Sequence, residues 1–294
     1  MGMIRLKKIL ILFFMIISFS SFTKNTVITS IQPIYSLVNY LTEGTDIKVH
    51  SMFGSDVSMD TSSEAFEDKD LDLSIFDNAE AVVGLSRVWN EDKLYAKART
   101  ENINIIEIDA ATSFDGLVNL LISQDEKGNI NPYLWTNGSN IIKLANIVAK
   151  DLTRIYPKNK NKIEKNLANL NEKINLIDRE FSQQILEINE DSIINLSKNL
   201  DYFINDLNIF SKKYNYDEVN EDTVEKIIKE SNTKIFVGDR WLKKKVVKKI
   251  EELGGKFVYI ETLNVPLDDN GQMDKDAILK AYKNNLENII NALK

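Results

Sequence analysis

The side chains available for chemistry in this chain are carboxylates and hydroxyls rather than imidazoles or thiols. Among 294 residues there is a single histidine, His50, and there is no cysteine. The lack of thiols excludes disulfides, thiolate metal sites and a cysteine nucleophile. Zinc favours nitrogen and sulfur ligands, whereas carboxylates and carbonyls suit manganese, magnesium or calcium. The sequence therefore offers no set of ligands typical of a tight zinc site.

Enzymatic activity is not expected either. A Ser-His-Asp triad needs a histidine that meets a nucleophile and an orienting acid, and no nucleophile elbow accompanies His50. Neither GxGxxG nor GxxxxGK[ST] occurs, so nucleotide-dependent chemistry has no phosphate-binding loop. The formal net charge of -7 argues against nucleic acid as a partner. We expect a binding protein, not an enzyme.

The N-terminus, residues 1–20, has the features of a secretory signal peptide. Arg5, Lys7 and Lys8 form a basic region, and residues 9–17 are apolar. Small residues follow at the cleavage positions, and the apolar stretch is too short to span a membrane. A lipoprotein needs a cysteine for its lipid, and this chain has none. We therefore expect a soluble periplasmic protein.

Strand-like apolar runs alternate with helical patterns along the rest of the chain. The predicted strands lie at residues 25–31, 47–53, 79–85, 102–108, 192–196, 234–239 and 256–261. Residues 55–72 are acidic and are predicted to be irregular. Strands that alternate with helices indicate parallel sheets covered by helices, and the chain is long enough for two domains.

A long helix is predicted in the middle of the chain. Apolar residues recur at intervals of three and four from Ile163 to Ile185, and a helix that begins at Lys158 has about 28 residues and a length of roughly 40 Å. Pro157 separates it from a helix at residues 140–156. We expect an N-terminal lobe at residues 25–157, a linking helix at 158–186 and a C-terminal lobe at 187–294. A plain packing helix is the alternative.

Two short runs carry a resemblance to a known family. Residues 131–135 read Asn-Pro-Tyr-Leu-Trp, and residues 156–159 read Tyr-Pro-Lys-Asn between two helices. This order resembles the zinc- and manganese-binding substrate-binding proteins of bacterial ABC transporters, and the likeness extends over residues 26–293. It implies two Rossmann-like βα lobes with mainly parallel sheets, joined by a single long helix, with a ligand cleft between them. It also implies a monomer that delivers its ligand to an inner-membrane permease.

The resemblance also assigns the positions of the metal ligands. The family holds its metal with three histidines and a carboxylate, and the matching positions here are Ser58, Tyr133, Ser197 and Glu261. Tyr133 would have to lose a proton with a pKa of about 10 before it could bind as a phenolate. All three histidines are absent, so we expect a degenerate metal site, with Glu261 as its one remaining metal ligand.

Three hypotheses for the cleft remain open. In the first, a divalent cation such as manganese, magnesium or calcium is the cargo, bound by oxygens of Glu261, Asp56, Asp60 and Tyr133. This hypothesis leads because the resemblance implies a metal cargo.

In the second hypothesis the cleft binds a small organic molecule. Ser58, Ser197, Tyr133 and Trp135 would supply hydrogen bonds and stacking surfaces. In the third, the chain is an adhesin-like or regulatory paralogue that has lost metal binding and acts through protein contacts.

Overall fold

A computed structural model describes residues 25–113, 116–124, 128–188 and 192–294. The predicted signal peptide at residues 1–20 lies outside these residues. Within the described part of the chain, no helix combines the length and the apolar character needed to cross a membrane.

The N-terminal lobe is a four-stranded parallel sheet with helices on its faces. Its strands pair in the order β2-β1-β3-β4, and every neighbouring pair is parallel. Val27, Ile28 and Val83 are fully buried, as expected for a parallel sheet covered on both sides. The elements are β1 Thr26–Thr29, α1 Gln32–Thr42, β2 Lys48–Ser51, α2 Met59–Phe66, β3 Ala81–Gly84, α3 Leu94–Glu101 and β4 Ile106–Asp109.

Two consecutive helices lie in the middle of the chain, and the second links the lobes. α4 spans Gly138–Ile155, a 3-10 turn spans Pro157–Asn159, and α5 spans Lys160–Ile185. Pro157 lacks an amide hydrogen, which explains the break between the two helices. α5 has 26 residues, about 39 Å in length, and packs on α1 and α4. The predicted long linking helix is confirmed.

The C-terminal lobe repeats the topology of the first. Its strands pair in the order β6-β5-β7-β8, again all parallel. The prediction of two α/β lobes is therefore confirmed. The elements are β5 Ser192–Asn195, α6 Asp201–Leu207, β6 Phe210–Lys213, α7 Val224–Ser231, β7 Ile235–Gly238, α8 Lys244–Glu252, β8 Lys256–Tyr259, a hairpin of β9 Asp268–Asp269 and β10 Gln272–Met273, and α9 Ala277–Leu293.

The two lobes share one core. A continuous hydrophobic cluster includes Val27 of β1, Leu170 of α5 and Ile193 of β5. The last helix, α9, also reaches the first lobe, because the amide of Ile278 donates to the Ser36 hydroxyl of α1 at 3.2 Å. The lobes are thus packed against each other as well as tethered.

Two parts of the sequence prediction need correction. The stretch at residues 55–72, predicted to be irregular, contains α2, whose Met59, Ser62 and Phe66 are buried at helical spacing. The polar residues between Met59 and Phe66 hide that spacing. Strand β6 was also missing, because it is an edge strand whose side chains are all exposed and therefore carry no apolar pattern.

Candidate ligand cleft

A cavity of about 750 Å³ lies at the carboxyl ends of the C-terminal strands, and Asp60 of the N-terminal lobe reaches its edge. Ser197 follows β5, Asp239 follows β7, and Tyr259 ends β8. Asp60 of α2 and the loop Thr262–Val265 form the facing wall. Strand order reverses between β5 and β7, and α/β proteins bind ligands in the crevice at such a switch point.

Asp239 is the central polar group at this switch point. Its Oδ2 accepts hydrogen bonds from the Ser197 hydroxyl at 2.9 Å and from Asn199 Nδ2 at 2.8 Å. Its Oδ1 accepts from the Tyr216 hydroxyl at 3.0 Å. Three neutral donors therefore hold the carboxylate on the cavity wall, where ionic hydrogen bonds are stronger than those in neutral pairs.

Tyr216 reaches Asp239 because of a glycine at the end of β7. A Cβ atom on Gly238 would collide with the Tyr216 hydroxyl. Burial is the main cause that raises the pKa of Tyr216, so the phenol stays protonated and remains a donor. The Arg240 guanidinium lies over the Tyr216 ring, 4.1 Å from its centroid, and fixes the other side of the side chain.

An aromatic platform adjoins this network. The rings of Trp241 and Tyr259 are stacked, with centroids 5.2 Å apart and planes within 2°. Trp241 also contacts Phe257 at 5.7 Å, yet it is 71% exposed. A large exposed indole held by two rings on a cavity wall is a surface already oriented for a ligand.

Asp60, a predicted cleft residue in α2, lines the cavity. Asp60 Oδ2 accepts from Asn264 Nδ2 at 2.7 Å, and the Met59 amide donates to the Asn264 carbonyl at 2.9 Å. Ser58 lies at the start of the helix, where its amide donates to Thr61 Oγ1 at 3.1 Å. α2 therefore docks on the loop that follows β8.

Tyr133 and Trp135 lie behind the cavity wall. Both are buried, their ring centroids are 5.5 Å apart, and the Trp135 indole donates to the Thr262 carbonyl at 2.8 Å. The pKa of Tyr133 is raised mainly by burial and further by the negative charges of Asp60, Asp239 and Glu91. A phenolate at Tyr133 is therefore strongly disfavoured.

Glu261 supports the loop that faces the cavity. Its Oε1 accepts from the Leu263 amide at 2.7 Å, and its Oε2 accepts from the Tyr259 hydroxyl at 3.2 Å. Burial raises the pKa of this carboxyl group. Leu263 has φ of 58°, a strained value for leucine, so the Glu261 contact helps to hold an unfavourable backbone.

Two of the seven predicted cleft residues line the cavity, and two more bond to residues of its wall. Asp60 and Ser197 lie on the cavity wall, and Trp135 and Glu261 bond to residues that line it. Asp56 lies apart, beside Gly54 and the β9–β10 turn, and is not among the described lining residues. Among the described residues, no group of three or more His, Cys, Asp or Glu side chains could hold a metal ion.

Sequence reasoning missed Asp239, Tyr216 and Trp241. The resemblance supplied only positions that match known ligands, and these three lie elsewhere. One signal was available, because Asp239 directly follows a buried strand whose carboxyl end belongs to a parallel sheet.

Comparison with known proteins decides the family. The family model described as "Zinc-uptake complex component A periplasmic", ZnuA, matches residues 27–292. The chain belongs to the ZnuA family. The predicted membership of a zinc- and manganese-type substrate-binding family is confirmed. Members are extracytoplasmic binding proteins rather than enzymes, which also confirms that prediction.

Individual proteins share part of the sequence or the fold of this chain. The manganese ABC transporter substrate-binding lipoprotein PsaA of Streptococcus pneumoniae is 39% identical over 85 residues, which cover 28% of this chain and 27% of PsaA. The crystal structure of ZnuA has a TM-score of 0.68 at 20% identity, covering 92% of this chain and 99% of that one. The laminin-binding protein Lmb of Streptococcus agalactiae has a TM-score of 0.66 at 16% identity, covering 92% and 99%. The structural likenesses show the shared fold.

Proposed function

We propose that this protein is the substrate-binding component of an ABC importer, capturing a small ligand between its lobes and delivering it to a membrane permease. The observation that carries the proposal is the cavity of about 750 Å³ at the C-terminal switch point, which Asp60 of α2 in the other lobe also lines. A ligand there would contact both lobes at once. Membership of the ZnuA family supports the same role.

We further propose that the inherited metal site is degenerate. The groups at the four assigned positions already have partners within the protein or are unsuited to metal. The Ser197 hydroxyl donates to Asp239, and both oxygens of Glu261 accept hydrogen bonds. The Ser58 hydroxyl lies 3.1 Å from that of Thr61, and burial keeps Tyr133 protonated. A metal would have to break several of these contacts.

Lobe movement in this proposal is a small tilt. α5 is a continuous helix without proline, and the core runs through both lobes. Wide opening would separate buried apolar surface, which costs about 25 cal/mol per Å². A tilt about the packed interface exposes much less of this surface.

The proposed location is the periplasm, reached through a signal peptide at residues 1–20. The family description is periplasmic, and the curated relatives are lipoproteins. This chain has no cysteine to carry a lipid, which favours a periplasmic protein without a lipid anchor.

The metal proposal is tested by restoring the missing ligands. Natively purified protein is expected to carry no stoichiometric zinc by elemental analysis. The triple variant S58H/Y133H/S197H is expected to gain zinc binding, seen as a thermal shift. A ligand at 100 times its Kd stabilises by about 2.7 kcal/mol. The matched control S58A/Y133F/S197A should show no shift. Tight zinc binding by the wild type would contradict the degenerate site. No zinc binding by the histidine variant would contradict the assignment of positions 58, 133 and 197 to the cleft.

The transport proposal needs a separate readout. Proteoliposomes holding an ABC permease and ATPase encoded beside the gene should hydrolyse ATP faster when the protein is added. A gene with no permease or ATPase gene beside it favours the adhesin-like or regulatory alternative. The same alternative is favoured if the protein does not stimulate ATP hydrolysis and instead captures a surface protein.

A further inference from the structure

We propose that the C-terminal half of the cleft binds a planar aromatic small molecule, uncharged or zwitterionic, seated on the stacked rings of Trp241 and Tyr259. This inference rests on the proposed function, because it names the ligand class of the same cleft. The cavity volume of about 750 Å³ is within the range of organic-ligand sites.

The aromatic content of the wall is the first argument. Tyr214, Tyr216, Trp241 and Tyr259 all line the cavity. Stacked and edge-on ring pairs add energy beyond their buried area. Trp241 covers Tyr259 in parallel and remains 71% exposed, so a further ring can extend the stack.

Preorganisation is the second argument. The Tyr259 hydroxyl is fixed by Glu261, and Phe257 holds the Trp241 ring from the side. The platform therefore needs no rearrangement before a ring can lie on it. Binding to a surface already in place avoids the ordering cost that weakens flexible sites.

The charge of the lining selects the ligand class. The lining contains three carboxylates and three cationic side chains, so its formal charge is balanced although the whole chain carries -7. Asp239 is saturated by neutral donors, and Lys213 pairs with Asp201 at 2.8 Å. A strongly charged ligand would leave one sign unpaired. A neutral or zwitterionic ring with polar substituents would not.

The test uses defined probes and the tryptophan signals. L-Tryptophan and adenosine serve as aromatic probes, and L-cyclohexylalanine is the saturated control with the same zwitterion as tryptophan. Binding is followed by NMR of the indole N–H groups. Trp89 and Trp135 are buried, so the Trp241 signal is expected to move while the others stay.

The variants separate stacking from folding. Trp241→Leu should weaken aromatic binding by about tenfold or more, since stacking on one ring contributes 1–3 kcal/mol. Trp241→Phe should stay within about threefold of the wild type, since the ring remains. Both should fold, because the side chain is exposed.

Three results overturn the proposal: equal binding of L-cyclohexylalanine, unchanged affinity in Trp241→Leu, or no shift of the Trp241 signal with either aromatic probe. If divalent ions bind the cleft instead and the protein still stimulates the permease, the proposed transport function stands and only the proposed aromatic ligand is wrong. If the rings bind but the permease does not respond, the transport function falls.

Discussion

The two lobes share a strand order but use their switch points in opposite ways. In the N-terminal lobe, the crevice between β1 and β3 is filled by Asp92, which is 6% exposed. Its carboxylate accepts from the amides of Leu85 at 2.6 Å and Leu94 at 3.2 Å, and from Ser30 Oγ at 3.5 Å. In the C-terminal lobe, the matching crevice opens on the cavity at Asp239.

The difference lies in the donors. Backbone amides hold Asp92, so its partners cannot move without refolding the loop after β3. Side chains hold Asp239, and those of Ser197 and Asn199 can rotate when a ligand arrives, whereas the Tyr216 hydroxyl also accepts from the Arg240 amide at 3.0 Å and stays in place. The closed crevice at Asp92 thus stabilises the N-terminal lobe, and the open crevice at Asp239 leaves a ligand site in the C-terminal lobe.

Removing the buried carboxylate gives the largest expected effect. Asp92→Ala leaves two buried amides without acceptors, at about 1–3 kcal/mol each, so we expect a loss of about 3 kcal/mol of unfolding free energy. Asp239→Ala should cost less than about 1.5 kcal/mol, because its donors can turn to water in the cavity. Urea denaturation of both variants measures the difference. Equal losses would contradict the comparison.

A glycine ends the key strand in each lobe, and the pair gives a second test. A Cβ on Gly84 would press on the Asp92 carboxylate, and a Cβ on Gly238 on the Tyr216 hydroxyl. Gly84→Ala should destabilise by about 2 kcal/mol, because Asp92 has no room to retreat. Gly238→Ala should cost about half as much, since Tyr216 lines the cavity and its displaced hydroxyl can bond to water there.

The same pair separates stability from binding. Gly238→Ala should weaken ligand binding in the cleft, whereas Gly84→Ala should leave it unchanged. Thermal denaturation and the tryptophan NMR titration, run on both variants, check the two halves. A larger loss of stability in Gly238→Ala would reverse the assigned roles of the two crevices.

This comparison also shows how far the sequence could be read. Buried strands appear in the sequence as apolar runs, so both parallel sheets could be predicted. The partners of Asp239 were not, because Ser197 lies 42 residues away and Tyr216 lies 23 away. No local pattern encodes such pairs. The resemblance placed Ser197 at the cleft but could not tell that its hydroxyl donates to a carboxylate.

Removing one donor from the open switch point has a smaller effect. Ser197→Ala deletes one of three hydrogen bonds to Asp239, so we expect a loss of about 1 kcal/mol of unfolding free energy. Asn199 and Tyr216 would still hold the carboxylate. Ser182→Ala, at a position outside the cleft, is the control. A change in bound metal in Ser197→Ala would show instead that Ser197 is a metal ligand.

The smallest expected effect concerns a third carboxylate site, at the linking helix. The Tyr282 hydroxyl of α9 donates to Asp178 of α5 at 2.5 Å and also contacts Asp206 of α6 at 3.5 Å. Burial is the main cause that raises the pKa of both carboxyl groups. Asp206 also accepts hydrogen bonds from the Gly138 amide and the Asn137 side chain at the start of α4. This site therefore joins elements of both lobes, whereas the two switch points each belong to one lobe.

The sign of its pH dependence follows from the raised pKa values. The stability that protonation contributes is complete below the unfolded pKa of about 4 and is lost as the pH rises through the higher folded pKa. Asp178→Asn removes the charge and keeps an acceptor for Tyr282. Its unfolding free energy, relative to wild type, should therefore rise between pH 4 and pH 7, by on the order of 0.5 kcal/mol after screening. Denaturation at both pH values measures this, with exposed Asp222→Asn as the control. A relative stability that falls with pH would mean that Asp178 is stabilised as the anion, and it would contradict the raised pKa of this carboxyl group.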